Sequence, residues 1–237
     1  MSSIYSGINP YGDEYKVISE SYGSDISSQR RDELDVACAQ YALSLVAEAM
    51  KNGQSPPQGI DIGSGLGVPS IAMSLLGCRM LLIDILDLHG RFEILRQQLP
   101  LFNLIYLQKD AQVLTPNDFP QYFDFAYSQR FLHYLRFDDA TTLLQKVSSR
   151  MNTDARLFIS ASGLTSELGE NYPHAKNPVH QRFSRLSKPY AIKHGILEEV
   201  CLYTLNDLIH LAESVGFSPV HVYQSRFCNV KGIFSKT

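Results

Sequence analysis

The sequence predicts an α/β domain on a doubly wound sheet, five parallel strands closed by an antiparallel C-terminal hairpin. Two observations carry this. Between Gly59 and Ser160, short apolar strands alternate with helices over short links, the pattern of a parallel sheet covered on both faces. After Gly216, two strand-like runs at 218–225 and 227–235 follow each other with no room for a crossover helix, so they must pair antiparallel. The length of 237 residues and the 44% hydrophobic content suit one large domain with an embellishment.

Residues 1–30 are polar, glycine-containing and punctuated by Tyr5, Tyr11, Tyr15 and Tyr22, and read as an irregular or partly helical arm. From Arg31 to Met50, Leu34, Cys38, Tyr41 and Leu45 share one helical face, closed by Gly53 and Pro56-Pro57. The first core strand is Gly59-Ile60-Asp61-Ile62. Pro69 then opens a helix with Ile71, Ala72, Leu75 and Leu76 that stops at Gly77. Met80-Leu81-Leu82-Ile83 is the second strand. A helix with Leu88, Phe92, Leu95 and Leu99 follows, broken by Pro100. Strands three, four and five are 104–107, 123–127 and 156–160, with a helix over 138–151 before the last. Thr204 caps a final helix carrying Leu205, Leu208, Ile209 and Ala212.

Residues 162–203 fit none of this, and insertions of that length are commonly lids or binding loops. From Asn171 to Leu197 there is no acid, yet Lys176, Arg182, Arg185, Lys188 and Lys193 are present, interleaved with His174, His180 and His194. The stretch is either a basic lid that grips an anionic group or a solvated helical face. The division expected is 1–54, an arm and helix covering the cleft, and 55–237, the core with its lid.

A net charge of −3 gives no general attraction to phosphate backbones, so nucleic acid is not the expected partner. Cys38, Cys78, Cys201 and Cys228 form no C-x-x-C pair, which leaves neither a disulfide framework nor a zinc knuckle, and no metal is expected. No basic-then-apolar leader or membrane-length apolar run is visible, so the expectation is a cytoplasmic protein without a membrane partner.

The strongest local signal is Asp61-Ile62-Gly63-Ser64-Gly65-Leu66-Gly67, at the junction of the first strand and its helix. Glycines there let the backbone turn sharply and a ligand approach closely. A dinucleotide fingerprint needs G-x-G-x-x-G, and Val68 stands where the third glycine belongs, which argues against NAD. An acid, any residue, then G-x-G-x-G resembles the first motif of class I S-adenosylmethionine-dependent methyltransferases, and the likeness spans roughly 55–235.

That resemblance implies a Rossmann-like seven-stranded sheet and S-adenosylmethionine as cofactor. It implies cofactor contacts from Asp61, Gly63, Ser64, Gly65 and Gly67, with Asp61 on the ammonium side. Asp84, followed by Ile85, stands where the family binds the ribose hydroxyls, with Asp87 a weaker candidate; Asp110 and Ala111 stand beside the adenine. The segment Phe123 to Leu135 is similar to the one lining the donor cleft, with Ser128 and Gln129 touching the cofactor. His133 is the candidate catalytic base, or else orients the loop with Tyr134. Arg130, Tyr134, Arg182, Arg185, Tyr15 and Tyr22 are the candidate acceptor contacts, although Arg130 could face solvent and the tyrosines could simply pack. An activated methyl needs mainly alignment, worth ~7–11 kcal/mol of barrier, so the lack of a catalytic triad is no objection.

Ser128-Gln129-Arg130-Phe131 does not match the D/N-P-P-Y/F motif of amino-methylating DNA enzymes. Glu167 and Glu170 follow strand five and not strand four, so the paired-glutamate role of arginine methyltransferases does not carry over. The function expected is methyl transfer to a small, anionic acceptor. Its rivals are an RNA or protein methyltransferase, a non-catalytic cofactor- or partner-binding member of the fold, and an NAD-dependent reductase.

Overall fold

The computed structural model describes residues 33–101, 103–119 and 122–237, and the backbone of 4–8 and 14–18. Seven strands form the central sheet: β3 Gln58–Ile62, β4 Arg79–Asp84, β5 Leu104–Gln108, β6 Phe123–Ser128, β7 Met151–Ala161, β10 Phe217–Gln224 and β11 Val230–Lys236. Their order across the sheet is β10-β11-β7-β6-β3-β4-β5. β3 to β7 are parallel, and β11 runs against both β7 and β10. The closing hairpin read from the sequence is therefore present, and only β11 is reversed.

Side-chain alternation explains the two-sided winding. Ile60, Ile62, Leu81, Ile83, Leu157 and Ile159 face one core with α4 (Phe137–Ser148) and α6 (Leu205–Glu213). Met80, Leu82, Tyr106, Phe125, Tyr127 and Phe158 face the other, under α1 (Glu33–Asn52), α2 (Val68–Leu75) and α3 (His89–Gln98). Each fully buried side chain of this size contributes about 1.5–3 kcal/mol. β3 lies between β4 and β6, so the chain winds outward one way from β3 and then the other way from β6. The crevice at the carboxyl ends of β3 and β6 is the switch point where ligands bind in such sheets.

Two expectations need correction. The arm is not irregular or helical where it is described: β1 (Ile4–Ile8) pairs antiparallel with β2 (Glu14–Ile18), Tyr15 opposite Gly7. Ile4, Tyr5, Ile8, Tyr15, Val17 and Ile18 favour strands, and Asn9-Pro10-Tyr11-Gly12-Asp13 between them is rich in turn formers. Tyr11 and Tyr22 lie outside the described residues. β7 also begins at Met151, five residues before the expected strand, because α4 ends at Ser148.

The insertion is a folded subunit of the chain and no loose lid. Its two ends zip together: Leu164 N donates to the Tyr203 carbonyl at 2.8 Å, and Tyr203 N to that of Ser162 at 3.0 Å. Inside, β8 (Phe183–Arg185) pairs antiparallel with β9 (Glu199–Cys201), and α5 (Lys188–His194) packs alongside. Leu168, Tyr172, Leu186, Ile196, Val200 and Leu202 make its own apolar core.

Candidate active site

The loop from β3 to α2 turns on Gly63, Gly65 and Gly67, with φ of 68°, 51° and 69°. L side chains rarely adopt that region, and a Cβ on Gly63 would also lie 2.2 Å from Cγ of Phe131. The turn therefore demands glycine on two independent grounds.

Asp84, at the end of β4, fixes the loop from the side. Its Oδ2 accepts from Gly65 N at 2.7 Å and its Oδ1 from Leu86 N at 3.1 Å. Both oxygens keep lone pairs, and the carboxylate lines the crevice. Asp61, one strand over, is 1% exposed; its Oδ2 accepts from Ser70 Oγ at 2.5 Å. Its Oδ1 and the hydroxyl of Ser64 are buried with no partner among the described residues. Burial raises the Asp61 pKa to about 7, against the lowering pull of the Ser70 hydrogen bond, with Asp84 and Asp35 adding repulsion.

Asp35 comes from α1 and is buried. The Tyr127 hydroxyl donates to its carboxylate, and the Gln129 amide reaches the same hydroxyl at 2.8 Å. Burial, then the negative charge of Asp35, pushes the Tyr127 phenol well above its ordinary value. On the far side, Asp110 accepts from Gln112 N at 2.9 Å and so caps the short turn that begins at Ala111. Lys109 is held at 2.7 and 2.8 Å by both oxygens of Asp118.

These residues enclose a cleft of about 210 Å³. Its apolar wall includes Val68, Pro69, Ile83, Leu86, Phe131 and Leu135; its polar rim carries Asp35, Asp61, Asp84, Asp110, Lys109 and Arg130. Carboxylates outnumber cations there, so the electrostatic environment suits a ligand with positive charge.

Of the expected cofactor residues, Asp61, Gly63, Ser64, Gly65, Asp84, Ile85, Asp110, Ala111 and Gln129 line the cleft. Gly67 stands behind it, where a Cβ would meet Leu82 at 2.6 Å. Ser128 is buried and donates to the Ile62 carbonyl at 2.9 Å, tying β6 to β3. Asp87 is an exposed turn acid beside His89. Of the acceptor candidates, Arg130 and Tyr134 line the cleft. Arg130 has φ of 51°, and its N donates to Ser160 Oγ at 2.9 Å.

The basic insertion does not do what its composition suggests. Among the described residues, none from 162–203 lines the cleft. Arg182 is 6% exposed: Nη1 donates to the Leu202 carbonyl and to Asp207, both at 2.8 Å, while Nε and Nη2 donate to the Asn177 carbonyl. It is an internal cross-brace. Arg185 is exposed on β8, away from the cleft lining. Lys193 pairs with Glu167. The described part of Tyr15 is its backbone in β2, and Tyr22 lies outside the described residues.

His133 is also displaced from its expected role. It is 2% exposed, neither ring nitrogen has a described partner, and its ring centroid lies 4.2 Å from that of Tyr134. Burial, then the Arg130 charge, lowers its pKa to about 3. It supports Tyr134 in the turn before α4 and does not line the cleft.

Sequence reasoning missed Asp35, whereas Tyr127 fell within the segment expected to line the cleft. Asp35 falls among Leu34, Cys38 and Ala42 on the buried face of α1, and an acid on an apolar face was the signal available.

A sheet of this order, with a glycine turn and strand-end acids at its switch point, is the class I S-adenosylmethionine-dependent methyltransferase architecture. Residues 29–222 match the family described as a methyltransferase domain. The chain belongs to that family and is an S-adenosylmethionine-dependent methyltransferase.

No curated protein matches it in sequence. Several solved structures share the fold. A Burkholderia thailandensis 1,6-didemethyltoxoflavin-N1-methyltransferase, solved with 1,6-didemethyltoxoflavin and S-adenosylhomocysteine, aligns with TM-score 0.58 and 18% identity, covering 91% of this chain and 87% of that one. Magnesium protoporphyrin IX methyltransferase from Synechocystis PCC 6803 with bound SAH aligns at 0.55 and 17%, covering 85% and 84%. A SAM-dependent methyltransferase from Methanosarcina mazei aligns at 0.57 and 19%, covering 79% and 96%. Among the described residues there is no group of acids, histidines and cysteines arranged to hold a metal, and no helix long and apolar enough to cross a membrane.

Proposed function

We propose that the cleft between Asp61, Asp84 and Arg130 transfers the methyl group of S-adenosylmethionine to a small acceptor with an anionic end. The observation that carries this reading is the acidity of a glycine-turned cleft, where four carboxylates and two cations share the lining. Asp61 Oδ1 and Ser64 Oγ are buried without described partners beside Asp84 and Asp35, a donor-poor, acceptor-rich lining that fits a sulfonium and ammonium cation. Bound there, S-adenosylmethionine supplies a carbon already activated for displacement.

The remaining chemistry belongs to the chain. Asp84, oriented by two backbone N–H groups, accepts from vicinal hydroxyls. Asp61 and Asp35 offset the positive end. Ile85 and Ala111 supply apolar surface for a planar base, and Asp110 its polar edge. Phe131, Tyr134 and Leu135 wall the acceptor side, with Arg130 the cation placed to take an anionic group. His133, buried off the cleft lining with its pKa lowered to about 3, is not the group that takes a proton from the acceptor.

Incubating the protein with methyl-labelled donor and a metabolite extract tests this. Label in acid-soluble material that resists protease and nuclease is expected. Label confined to protein or RNA would overturn the small-acceptor reading, and donor binding without any transfer would support a non-catalytic role.

A further inference from the structure

α1 buries one face against the sheet and α2, through Leu34, Cys38, Ala42, Val46 and Ala49. It carries a second apolar stripe that faces solvent. Val36 is 46% exposed, Leu43 49% and Met50 79%. Ala39, partly exposed, and Ala47, exposed, lie between them. At about 100° per residue these five positions fall within an arc of roughly 80°. Leu75 and Leu76, also exposed at the end of α2, extend the stripe sideways: Gly77 next to them has its Cβ position 3.4 Å from Val46. Contiguous exposed apolar surface on a soluble domain marks an interaction site.

The arrangement of the stripe identifies its occupant. Val36 and Met50 lie seven residues either side of Leu43, and Ala39 and Ala47 lie four either side. An antiparallel copy of the same helix, related by a two-fold axis at Leu43, sets Leu43 against Leu43, Val36 against Met50 and Ala39 against Ala47. Small and large positions then coincide along the whole seam, as isologous contacts require. The polar flank agrees. Glu33 and Lys51 are both exposed, sit on the same side of the stripe and stand at opposite ends of the helix. Antiparallel pairing brings each Glu33 beside the other copy's Lys51, twice per interface, and also opposes the helix dipoles.

We infer that the solvent face of α1 is a homodimer interface, built on Val36, Leu43 and Met50 and framed by Glu33–Lys51 pairs between two copies of this chain. Five side chains of one helix and two of the next fall short of the ~800 Å² per partner of a standard interface, so the dimer is weak and concentration-dependent.

Sedimentation velocity of the whole chain over two decades of concentration tests the inference. A reversible monomer–dimer equilibrium is expected, and Leu43→Glu, which sets two like charges against each other on the axis, raises the dissociation constant about tenfold or more. Donor binding by that variant reports whether it is folded. Charge reversal gives a second reading that needs no apolar change: Glu33→Lys alone and Lys51→Glu alone each weaken the dimer, and the two together restore it. A wild-type chain monomeric at every concentration overturns the inference. So does a dimer that both Leu43→Glu and the charge reversals leave intact, because its contact then lies elsewhere.

Discussion

Replacing Asp61 by asparagine separates the stability of the empty protein from its affinity for the donor. The side chain stays nearly isosteric and still accepts from Ser70, but loses its charge. Asp61 has a folded pKa of about 7 against an ordinary 3.8, raised first by burial. Because the folded value is the higher one, the native state holds the proton more tightly than the unfolded chain. That contribution is complete below pH 3.8 and is lost as pH rises through about 7. Across the whole window the linkage amounts to about 4 kcal/mol; between roughly pH 5.5 and 8 it is about 2 kcal/mol. For a domain of this size 2 kcal/mol moves Tm by about 4–8 °C. Thermal unfolding of both proteins, without donor and at constant ionic strength, should show Asp61→Asn gaining that much on the wild type as pH rises over that interval. Calorimetry at pH 8 should show the same variant binding S-adenosylmethionine more weakly. A Tm difference that stays flat with pH would refute the argument, since no other group distinguishes the two proteins.

Four further outcomes follow from the same geometry. Asp84→Ala should weaken donor binding by about 1–3 kcal/mol through lost charged hydrogen bonds, measured by calorimetry. Arg130→Gln should raise the acceptor KM by about tenfold while leaving donor affinity within twofold, read from steady-state kinetics on whatever acceptor the labelling identifies. Arg182→Ala should cost about 1–3 kcal/mol in denaturant unfolding, because it leaves the Leu202 and Asn177 carbonyls without this donor and removes the cation paired with Asp207, which keeps its Thr204 hydrogen bonds; an unchanged midpoint would mean the brace is idle. His133→Phe should retain methyl transfer within a few fold, since neither ring nitrogen has a described partner to lose; a drop beyond about a hundredfold would restore it as the proton acceptor.

The parts of the fold legible in the sequence are those where local chemistry leaves one answer. Only glycine suits φ near +68° with Phe131 packed 2.2 Å from an added Cβ, so the loop at Gly63 announces itself. Continuous apolar runs such as Met80 to Ile83 announce strands covered on both faces, and the absent link between β10 and β11 forces their pairing. What stayed hidden depends on burial, which composition does not encode. Arg182 and Lys193 looked like parts of one cationic surface; one is saturated by main-chain carbonyls inside the insertion, the other neutralised by Glu167. His133 sat at the expected distance along the chain from β6, but the turn Leu132–Tyr134 folds its ring inward. Asp35 gave only the signal of an acid on an apolar face, which does not say what it faces: it lies far from the glycine loop in sequence and reaches the cleft only when α1 docks on the sheet.

That docking also explains why the cleft can be so acidic. Asp35, Asp61 and Asp84 arrive from α1, β3 and β4, so no single segment has to hold three repelling carboxylates in its own local structure. Each is fixed by a different donor: the Tyr127 hydroxyl, the Ser70 hydroxyl and the backbone N–H groups of Gly65 and Leu86. At Asp61 and Asp84, hydrogen bonds from a hydroxyl and from backbone amides orient the carboxylate without cancelling its charge, which a lysine or arginine would do. Lys109, on the same rim, is held by Asp118. Burial beside these acids raises the Asp61 pKa to about 7, and a cation seated next to it would bring that value down.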